Sequence, residues 1–212
     1  MQIRAHQFRP SDLVAGHVVL DLANTVTARG GEPGDWLDSF RRVLEWAALT
    51  GHFDRGVLAQ LERMDRSDPA AGELSLRHLR DLRETTHATL VAIIRSGTPA
   101  EATLTRFEAF WKDAVTAATL TSSEFHVSPE LDLESSGLDY VTHALALQAF
   151  EFLQAFPIDR TRVCAGTNCG WLFLDRSKGG QRRWCDMAVC GNLAKSRRHY
   201  ERKRAARLGR RR

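Results

Sequence analysis

The chain has 212 residues, 43% of them hydrophobic, and a formal net charge of +4 at pH 7. That length fits one domain or one domain with a small module, and the hydrophobic share is enough for a packed core. The sequence contains no run of 18 apolar residues, which excludes a transmembrane helix. Because the N-terminus does not resemble a secretion signal, we expect a cytoplasmic protein with no membrane partner.

The charge is distributed unevenly along the chain. Residues 160–212 carry 16 Lys or Arg against 3 Asp or Glu, whereas the preceding 159 residues carry 14 basic and 23 acidic side chains. An acidic body joined to a basic end is typical of proteins in which one part binds a polyanion and the other has a different role. We therefore predict two units, a helical domain (1–157) and a basic module (158–212).

Helical spacing of apolar residues predicts that the first unit is mainly α-helical. The predicted helices cover 16–27, 36–50, a short stretch after Asp54, a long stretch from 70 or 75 to 96 ending at Gly97, one that starts at a capping box in 98–101, and one capped by Ser136 that ends before Pro157. Between 118 and 133 the helical period disappears, which predicts a small β-hairpin. The predicted fold class is thus mainly α with a small β-hairpin.

Three polar residues, Asp21, Asn24 and Thr25, fall on one side of the first predicted helix. They could line a small-ligand site, but a buried hydrogen-bond network is favoured because buried polar groups usually serve structure. No HExxH, GxSxG or Gly-rich phosphate-binding motif is present. We therefore expect that the chain is not an enzyme. The helical domain is expected to bind a small-molecule effector, to form a homodimer, or both.

All four cysteines of the chain lie within 27 residues. They form two pairs, Cys164/Cys169 and Cys185/Cys190, each with a four-residue spacer. Four thiolates can complete a tetrahedral shell around Zn²⁺, and two short loops suit that geometry. The alternatives are two disulfides, four unrelated buried thiols or redox activity, and the clustering of all four cysteines argues against unrelated thiols. The lack of a secretion signal and of a CxxC motif favours one structural Zn²⁺.

The residues between and within the pairs predict a small module around the metal. Residues 170–178 alternate like a strand and Gly179-Gly180 turn the chain back, so we expect a hairpin that returns Cys185 to the first pair. The spacer 186–189 has no Gly or Pro and predicts the entry to a helix that carries the fourth ligand. Three aromatic side chains are expected to cover the metal rather than stack on bases, since so small a module has few other apolar residues. They are Trp171, Phe173 and Trp184.

After Cys190 the sequence predicts a helix rich in Lys and Arg. Glu201 is its only acidic residue beside ten cations, so ion pairs within the helix cannot neutralise it. A helix anchored by zinc can present cations to a DNA groove, and double-stranded DNA is the expected partner ahead of an acidic protein or an anionic membrane surface. The cations expected to contact nucleic acid are Arg182, Arg183, Lys195, Arg197, Arg198, Arg202 and Arg204.

The module resembles the CGNR-type zinc fingers. The resemblance rests on the cysteine spacing, on residues 173–175 and 182–185, and on Cys190-Gly191-Asn192. Residues 20–25 are similar to the opening helix of the ABATE domain that precedes such fingers. Members of the family are described as stress-induced transcription regulators, so the resemblance implies an α-rich domain followed by a treble-clef-like finger that ends in a basic helix. Leu193 stands where the motif has arginine, and Arg197 or Arg198 is expected to make its contact instead.

The sequence therefore predicts a zinc-dependent, DNA-binding transcriptional regulator. One alternative is an adaptor whose zinc finger binds RNA or a protein. The other is an enzyme that acts through the helical domain near Asp21 and Asn24, although the sequence shows no assembled nucleophile, base or catalytic metal there.

Overall fold

The computed structural model describes residues 6–155 and 158–209. Over these residues the protein is mainly α-helical, with three two-stranded antiparallel sheets. The α-helices are α1 (Val18–Ala23), α2 (Phe40–Thr50), α3 (Arg55–Ser67), α4 (Pro69–Ser96), α5 (Glu101–Ala117), α6 (Leu133–Ser136), α7 (Tyr140–Ala155) and α8 (Asn192–Gly209). The strands are β1 (Val26–Thr27), β2 (Gly34–Asp35), β3 (Ala118–Ser123), β4 (His126–Leu131), β5 (Thr161–Val163) and β6 (Leu172–Leu174). None of the helices in the described ranges is long and apolar enough to cross a bilayer.

Helix α4 lies at the centre of the helical domain and packs against α1, α2, α3, α5 and α7. Its leucines recur at helical spacing, so Leu76, Leu79 and Leu82 all face the same buried core. Trp46 of α2 and Leu145 of α7 are buried in that core as well. The pattern that predicted the helix therefore also marks the side it buries.

Several predicted helix boundaries are confirmed. The Asp54 carboxylate accepts a hydrogen bond from the backbone N–H of Val57 at the start of α3 (3.0 Å). Gly51 and Gly97 end α2 and α4 in the left-handed conformation, with φ of 69° and 79°. Glycine reaches this region without the steric cost that a Cβ imposes, which explains both stops. Helix α4 begins at Pro69, one residue before the earlier of its two predicted starts.

Helix α1 is shorter than the predicted range 16–27. The residues after it form β1 instead, with Val26 opposite Asp35 of β2. The buried Thr25 hydroxyl donates to the carbonyl oxygen of Leu22 (2.8 Å), the group that residue 26 would use if the helix continued. β-Branched Val26 and Thr27 also favour an extended backbone.

Helix α2 begins at Phe40 rather than at the predicted residue 36. The Asp35 carboxylate explains the later start. It accepts a hydrogen bond from the backbone N–H of Leu37 (2.9 Å) and pairs with the guanidinium of Arg83 on α4 (2.7 Å). These contacts hold the segment before α2 in a non-helical turn.

The capping box predicted for 98–101 does not form. Helix α5 starts at Glu101 after the N-cap residue Ala100, and no side chain caps it. The carbonyl oxygen of Thr98 accepts a hydrogen bond from the Ser96 hydroxyl (3.3 Å), so Thr98 belongs to the turn that ends α4.

The cap predicted at Ser136 is also wrong. Ser136 is the last residue of α6, which is capped by the Asp132 carboxylate through the backbone N–H of Ser135 (2.7 Å). Gly137 then adopts φ 54° and ψ −139°, which interrupts the helix, and α7 begins at Tyr140. Asp132 is as good a cap as serine, so the two positions compete on equal terms.

The β-hairpin predicted for residues 118–133 is confirmed. Strands β3 and β4 pair along their whole length, from Ala118 opposite Leu131 to Ser123 opposite His126. Phe125 at the tip has a left-handed φ of 63°, and its side chain is fully exposed. The hairpin packs against α5 and α7.

The hairpin of the basic module forms between other residues than predicted. Strand β6 pairs with β5, which precedes Cys164, and not with residues that follow Gly179-Gly180. Cys164 and Cys169 consequently lie in the turn that joins the two strands. This knuckle, followed by a second pair of cysteines at the start of a helix, gives the predicted treble-clef-like arrangement.

The basic module packs directly against the helical domain. Leu172 and Leu174 of β6 share one buried cluster with Leu20 of α1, Leu90 of α4 and Phe152 of α7. The predicted domain boundary after residue 157 lies outside the described residues. The two units on either side of it are joined by a common core.

Candidate metal centre and basic helix

The β5–β6 hairpin positions the first cysteine pair. Cys164 directly follows β5, and its backbone N–H donates to the carbonyl oxygen of Trp171 (2.7 Å), which extends the ladder past the strand. A Cβ at Gly166 would lie 3.0 Å from the sulfur of Cys190 and 3.3 Å from that of Cys164. The turn therefore needs glycine at this point, because a side chain would press on the sulfurs.

A short π-helical turn, Met187–Gly191, positions the second pair. The Asp186 carboxylate caps the turn by accepting hydrogen bonds from the backbone N–H groups two and three residues further on. Cys185 precedes the cap and Cys190 lies within the turn, which leads directly into α8. The prediction that the second spacer enters a helix bearing the fourth ligand is thus confirmed.

The geometry of the four sulfurs fits one tetrahedral Zn²⁺. All four lie within 4.8 Å of one another. The Sγ atoms of Cys169 and Cys185, and those of Cys185 and Cys190, are 3.7 Å apart. A tetrahedral ion with Zn–S bonds of about 2.3 Å places its sulfurs about 3.8 Å apart. None of the four cysteines forms a disulfide.

Crowding of the four thiols also calls for a cation. Hydrogen bonds from the thiols of Cys169 and Cys185 lower the pKa of Cys164 well below its ordinary value. The same contact with Cys164 raises the pKa of Cys185 far above its ordinary value. Without a metal, the four thiols therefore do not all ionise, whereas a Zn²⁺ site needs four thiolates. A divalent cation removes this conflict because a coordinating thiol loses its proton outright.

Aromatic rings cover the metal centre, as predicted. Phe173 is fully buried in one cluster with Cys164 and Cys185, and Trp171 and Trp184 pack against that cluster. The indole N–H of Trp171 donates to the carbonyl oxygen of Val26 in the helical domain (2.8 Å). One ring thus covers the centre and holds the module to its neighbour.

A buried carboxylate organises the loop between the two cysteine pairs. Asp175 accepts hydrogen bonds from the Ser177 hydroxyl (2.6 Å), the Ser177 backbone N–H (3.0 Å) and the Arg182 backbone N–H (2.8 Å). These donors, the Ser177 hydroxyl first among them, hold the pKa of Asp175 below its ordinary value. Asp175 and Ser177 are therefore needed for the loop that brings Cys185 to the metal.

Comparison with protein families agrees with this architecture. Residues 16–155 match the family described as "ABATE: Putative stress-induced transcription regulator", and residues 160–203 match the CGNR zinc finger. The chain belongs to the ABATE family. A search of curated proteins finds no match. The matches confirm the order of ABATE domain and CGNR finger, and the finger's four cysteines are placed to bind a single structural Zn²⁺.

Two of the arginines predicted to contact nucleic acid are engaged within the CGNR finger. The Arg182 guanidinium lies over the Phe173 ring, 4.5 Å from its centroid, and donates to the carbonyl oxygens of Trp184 and Cys185. Arg197 donates to the Thr167 hydroxyl in the knuckle (3.0 Å) and pairs with Glu201. Both cations therefore have structural partners in the finger itself.

The other predicted cations are exposed. Arg183 lies over the Trp184 ring at 5.5 Å. On α8, the guanidinium groups of Arg198 and Arg202 each donate to a carbonyl oxygen of their own helix, at 3.4 Å. In the part of the chain that the structure describes, no acidic side chain lies within 4 Å of them. The exposed members of the predicted set are Arg183, Lys195, Arg197, Arg198, Arg202 and Arg204, and Arg197 among them is bound to the knuckle.

The three polar residues of α1 and its C-terminus form internal hydrogen bonds. Asn24 donates to the carbonyl oxygen of Leu172 and accepts from its backbone N–H, both at 2.8 Å. Asp21 accepts from the backbone N–H of Ala15 (3.0 Å), and burial raises the pKa of Asp21 to about 7. Thr25 accepts from Arg83 (3.1 Å). These contacts fit the buried network, and a ligand at these residues stays a prediction.

Leu193, at the position of the motif arginine, is 62% exposed. Of the two residues expected to make the missing contact, Arg197 is bound to the knuckle, whereas Arg198 points to carbonyls of its own helix and to solvent. Arg198 is therefore the better placed substitute. Its role there stays a prediction.

The loop that receives the knuckle was not predicted as part of the site. The backbone N–H of Arg29 donates to the carbonyl oxygen of Cys169 (3.3 Å), and that of Gly30 donates to the carbonyl oxygen of Asn168 (3.2 Å). A Cβ at Gly30 would lie 3.0 Å from the Asn168 backbone, and one at Gly31 would lie equally close to the Asn168 amide. The adjacent glycines were the available signal, since close backbone approach requires them.

Proposed function

We propose that this ABATE protein is a cytoplasmic transcription regulator that binds double-stranded DNA through α8 of its CGNR finger. The observation that carries the proposal is an exposed cationic face on a helix whose first turn is attached to the metal centre. Lys195, Arg198 and Arg202 form this face. The family description supports a role in transcription, and the proposal assigns no catalytic activity to the ABATE domain.

The dimensions of the cationic face suit a DNA groove. Lys195, Arg198 and Arg202 follow each other at intervals of three and four residues, so they share one side of α8. They span about 10 Å of helix axis. The major groove of B-DNA is about 12 Å wide and admits an α-helix. Cations on such a helix would contact the phosphates that border the groove, and the same side chains are long enough to reach base edges.

Zinc would act by orienting this helix. An isolated helix of this length is marginally stable in water, and α8 carries mutually repelling charges. The metal centre attaches its N-terminus to a module that is itself packed on the ABATE domain. The domain is then free to supply dimerisation, effector binding or both.

Fluorescence anisotropy with a mixed-sequence 30-base-pair duplex tests the proposal. We expect affinity to fall steeply between 50 and 200 mM salt, with a log–log slope of about −0.9 for each phosphate contact. The double variant Arg198→Ala/Arg202→Ala should bind more weakly and lose about 1.8 from that slope. Arg41→Ala/Arg77→Ala is the charge-matched control, because it removes two exposed cations from α2 and α4 of the ABATE domain.

Two results would contradict DNA binding through α8. One is a salt slope that is flat, or that changes as much in the control as in the α8 variant. The other is competition in which single-stranded or duplex RNA, or an acidic polypeptide, displaces the DNA at a tenth of its concentration. That second result would favour the adaptor function. A genomic binding profile would then identify the preferred DNA sites.

A further inference from the structure

A cavity of about 420 Å³, which takes in space beside the cysteine sulfurs where the metal would bind, lies where the ABATE domain meets the CGNR finger. The ABATE domain contributes Trp36, the segment just before it contributes Asp12 and Val14, and the finger contributes Trp171, Asp186 and Val189 together with three of the four cysteines. A cavity of this size falls within the range of small-ligand sites, about 300–1,000 Å³, and such sites occur preferentially between domains. It lies apart from the cationic face proposed to bind DNA, whose three residues are absent from its lining.

Two tryptophans form rigid apolar walls of the cavity. The rings of Trp36 and Trp171 meet edge to face, with centroids 5.5 Å apart and planes at 90°. Each ring is also held from outside the cavity. His6 stacks on Trp36 at 3.7 Å, and the Trp171 indole N–H is bonded to the Val26 carbonyl oxygen. The aromatic surface is thus formed before any ligand arrives, which reduces the entropy lost on binding.

The charged side chains that line the cavity are all acidic. Asp12 is fixed by the backbone N–H of Arg9 (2.8 Å) and by the ring of His6 (2.9 Å), and Asp186 is fixed as the cap of the π-helical turn. A Zn²⁺ ion bound by four thiolates carries a net charge of about −2. The cavity is therefore negative although the surrounding finger is strongly basic.

We infer that this cavity is a binding site for an organic cation with a flat apolar body, such as the protonated form of an arylmethylamine. Tryptophan rings attract cations through their negative faces, the two carboxylates accept hydrogen bonds from an ammonium group, and the apolar walls bury the rest of the ligand. An anion of the same shape meets two carboxylates and is rejected. Because the ligand contacts both the ABATE domain and the finger, its binding also holds the two together.

Isothermal titration with three molecules of one shape tests this inference. They are 2-naphthylmethylamine, which is cationic, 2-naphthalenemethanol, which is neutral, and 2-naphthoate, which is anionic. On the zinc-loaded full chain we expect a saturable site for the amine, with a dissociation constant at least about ten-fold lower than that of the naphthoate, or 1.4 kcal/mol. Equal binding of the three, or no saturation by the amine at millimolar concentration, would overturn the inference.

Two tryptophan substitutions locate the site. Val189→Trp fills the cavity, whereas Leu193→Trp adds the same ring four residues further along the chain, at a position that does not line it. Both native side chains are exposed, at 65% and 62%, so neither variant disturbs the core. We expect Val189→Trp to weaken amine binding about ten-fold or more and Leu193→Trp to leave it unchanged. Equal affinities in the two variants would place the amine elsewhere.

A second readout depends on neither DNA nor the calorimeter. If the amine bridges the domain and the finger beside three metal ligands, a colorimetric chelator should extract zinc several-fold more slowly in its presence, and the naphthoate should have no such effect. Zinc content measured in the same assay shows that each variant has an intact finger. Loss of DNA binding with amine binding retained would refute only the proposed function.

Discussion

The inner and outer sides of the CGNR finger are held in different ways. The inner side, strands β5 and β6 with the knuckle between them, shares a buried cluster with the ABATE domain and exchanges hydrogen bonds with it. The outer side is the π-helical turn and α8. In the described residues its main links to the rest of the chain are the cysteine cluster and the Arg197–Thr167 hydrogen bond. The inner side is thus stabilised by the domain and the outer side by the metal.

Zinc removal should separate the two sides most clearly. A structural zinc contributes on the order of 10 kcal/mol to the folding of a small finger, so Cys185→Ala or a strong chelator should unfold the outer side. Strand β6 should survive, because the Leu174 N–H donates to Ala15 and the Leu172 N–H donates to Asn24. Hydrogen exchange read by mass spectrometry should show protection lost over Met187–Gly191 and kept over β6.

Val189→Ala is the control for this experiment, since it alters an exposed residue of the same turn that is not a ligand. It should keep its zinc and its protection. If β6 loses protection together with the turn, the inner side also depends on the metal and the distinction fails.

Asn24→Ala should have the next largest effect, this time on the inner side. The Asn24 amide makes two 2.8 Å hydrogen bonds to the backbone of Leu172, and both residues are buried. Its removal leaves a buried N–H and a buried carbonyl oxygen unpaired, which should lower the free energy of unfolding by about 2–4 kcal/mol. Urea denaturation followed by circular dichroism measures the loss.

The matched control is Asn192→Ala on the outer side. Asn192 is exposed, and its side chain donates to the carbonyl oxygen of Ala188, four residues earlier in the chain. We expect a change below about 0.5 kcal/mol there. Similar losses in the two variants would mean that Asn24 contributes no more to the inner side than a surface amide does.

The same contrast shows what the sequence could and could not predict. The metal ligands and the helix that carries Cys190 could be predicted from local spacing, because a turn and its cap depend on neighbouring residues. The role of Asn24 could not be found in this way, since its partner Leu172 is 148 residues away. The late start of α2 depends likewise on Arg83, 48 residues from Asp35.

The prediction of the finger's hairpin was wrong for a different reason. An alternating stretch such as β6 shows that a strand exists but not which stretch pairs with it. The residues before Cys164 and those after Gly180 were both available. The choice is decided by packing, because pairing with β5 lets Leu172 and Leu174 enter the core that the ABATE domain offers.

Arg182→Ala should show whether Arg182, one of the cations predicted to contact nucleic acid, instead stabilises the fold. The Arg182 side chain stacks on Phe173 and bonds two carbonyl oxygens around the metal centre, so its loss should cost about 2 kcal/mol. The neighbouring exposed Arg183→Ala should cost less than about 0.5 kcal/mol. Urea denaturation gives both values. A DNA salt slope that changes in Arg182→Ala while its stability does not would restore Arg182 as a phosphate contact.

The last effect depends on pH and concerns Asp21, which is buried in α1. Burial raises the pKa of Asp21 to about 7 from 3.8, against the opposing hydrogen bond from the Ala15 N–H. Between these pH values the native state binds more protons than the unfolded chain, so this group makes the protein less stable as pH rises, by at most about 1.4 kcal/mol per pH unit. Asp21→Asn keeps an acceptor for Ala15 and cannot ionise. Its stability advantage over the parent should grow from about pH 4 to pH 7 and then stay constant, as urea denaturation at several pH values would show.

Burial lowers the pKa of His17 and of His87 to about 4, which acts in the opposite direction, but both histidines are common to the two proteins and cancel in the difference. An advantage that is the same at every pH would mean that Asp21 ionises in the folded protein as freely as in the unfolded chain.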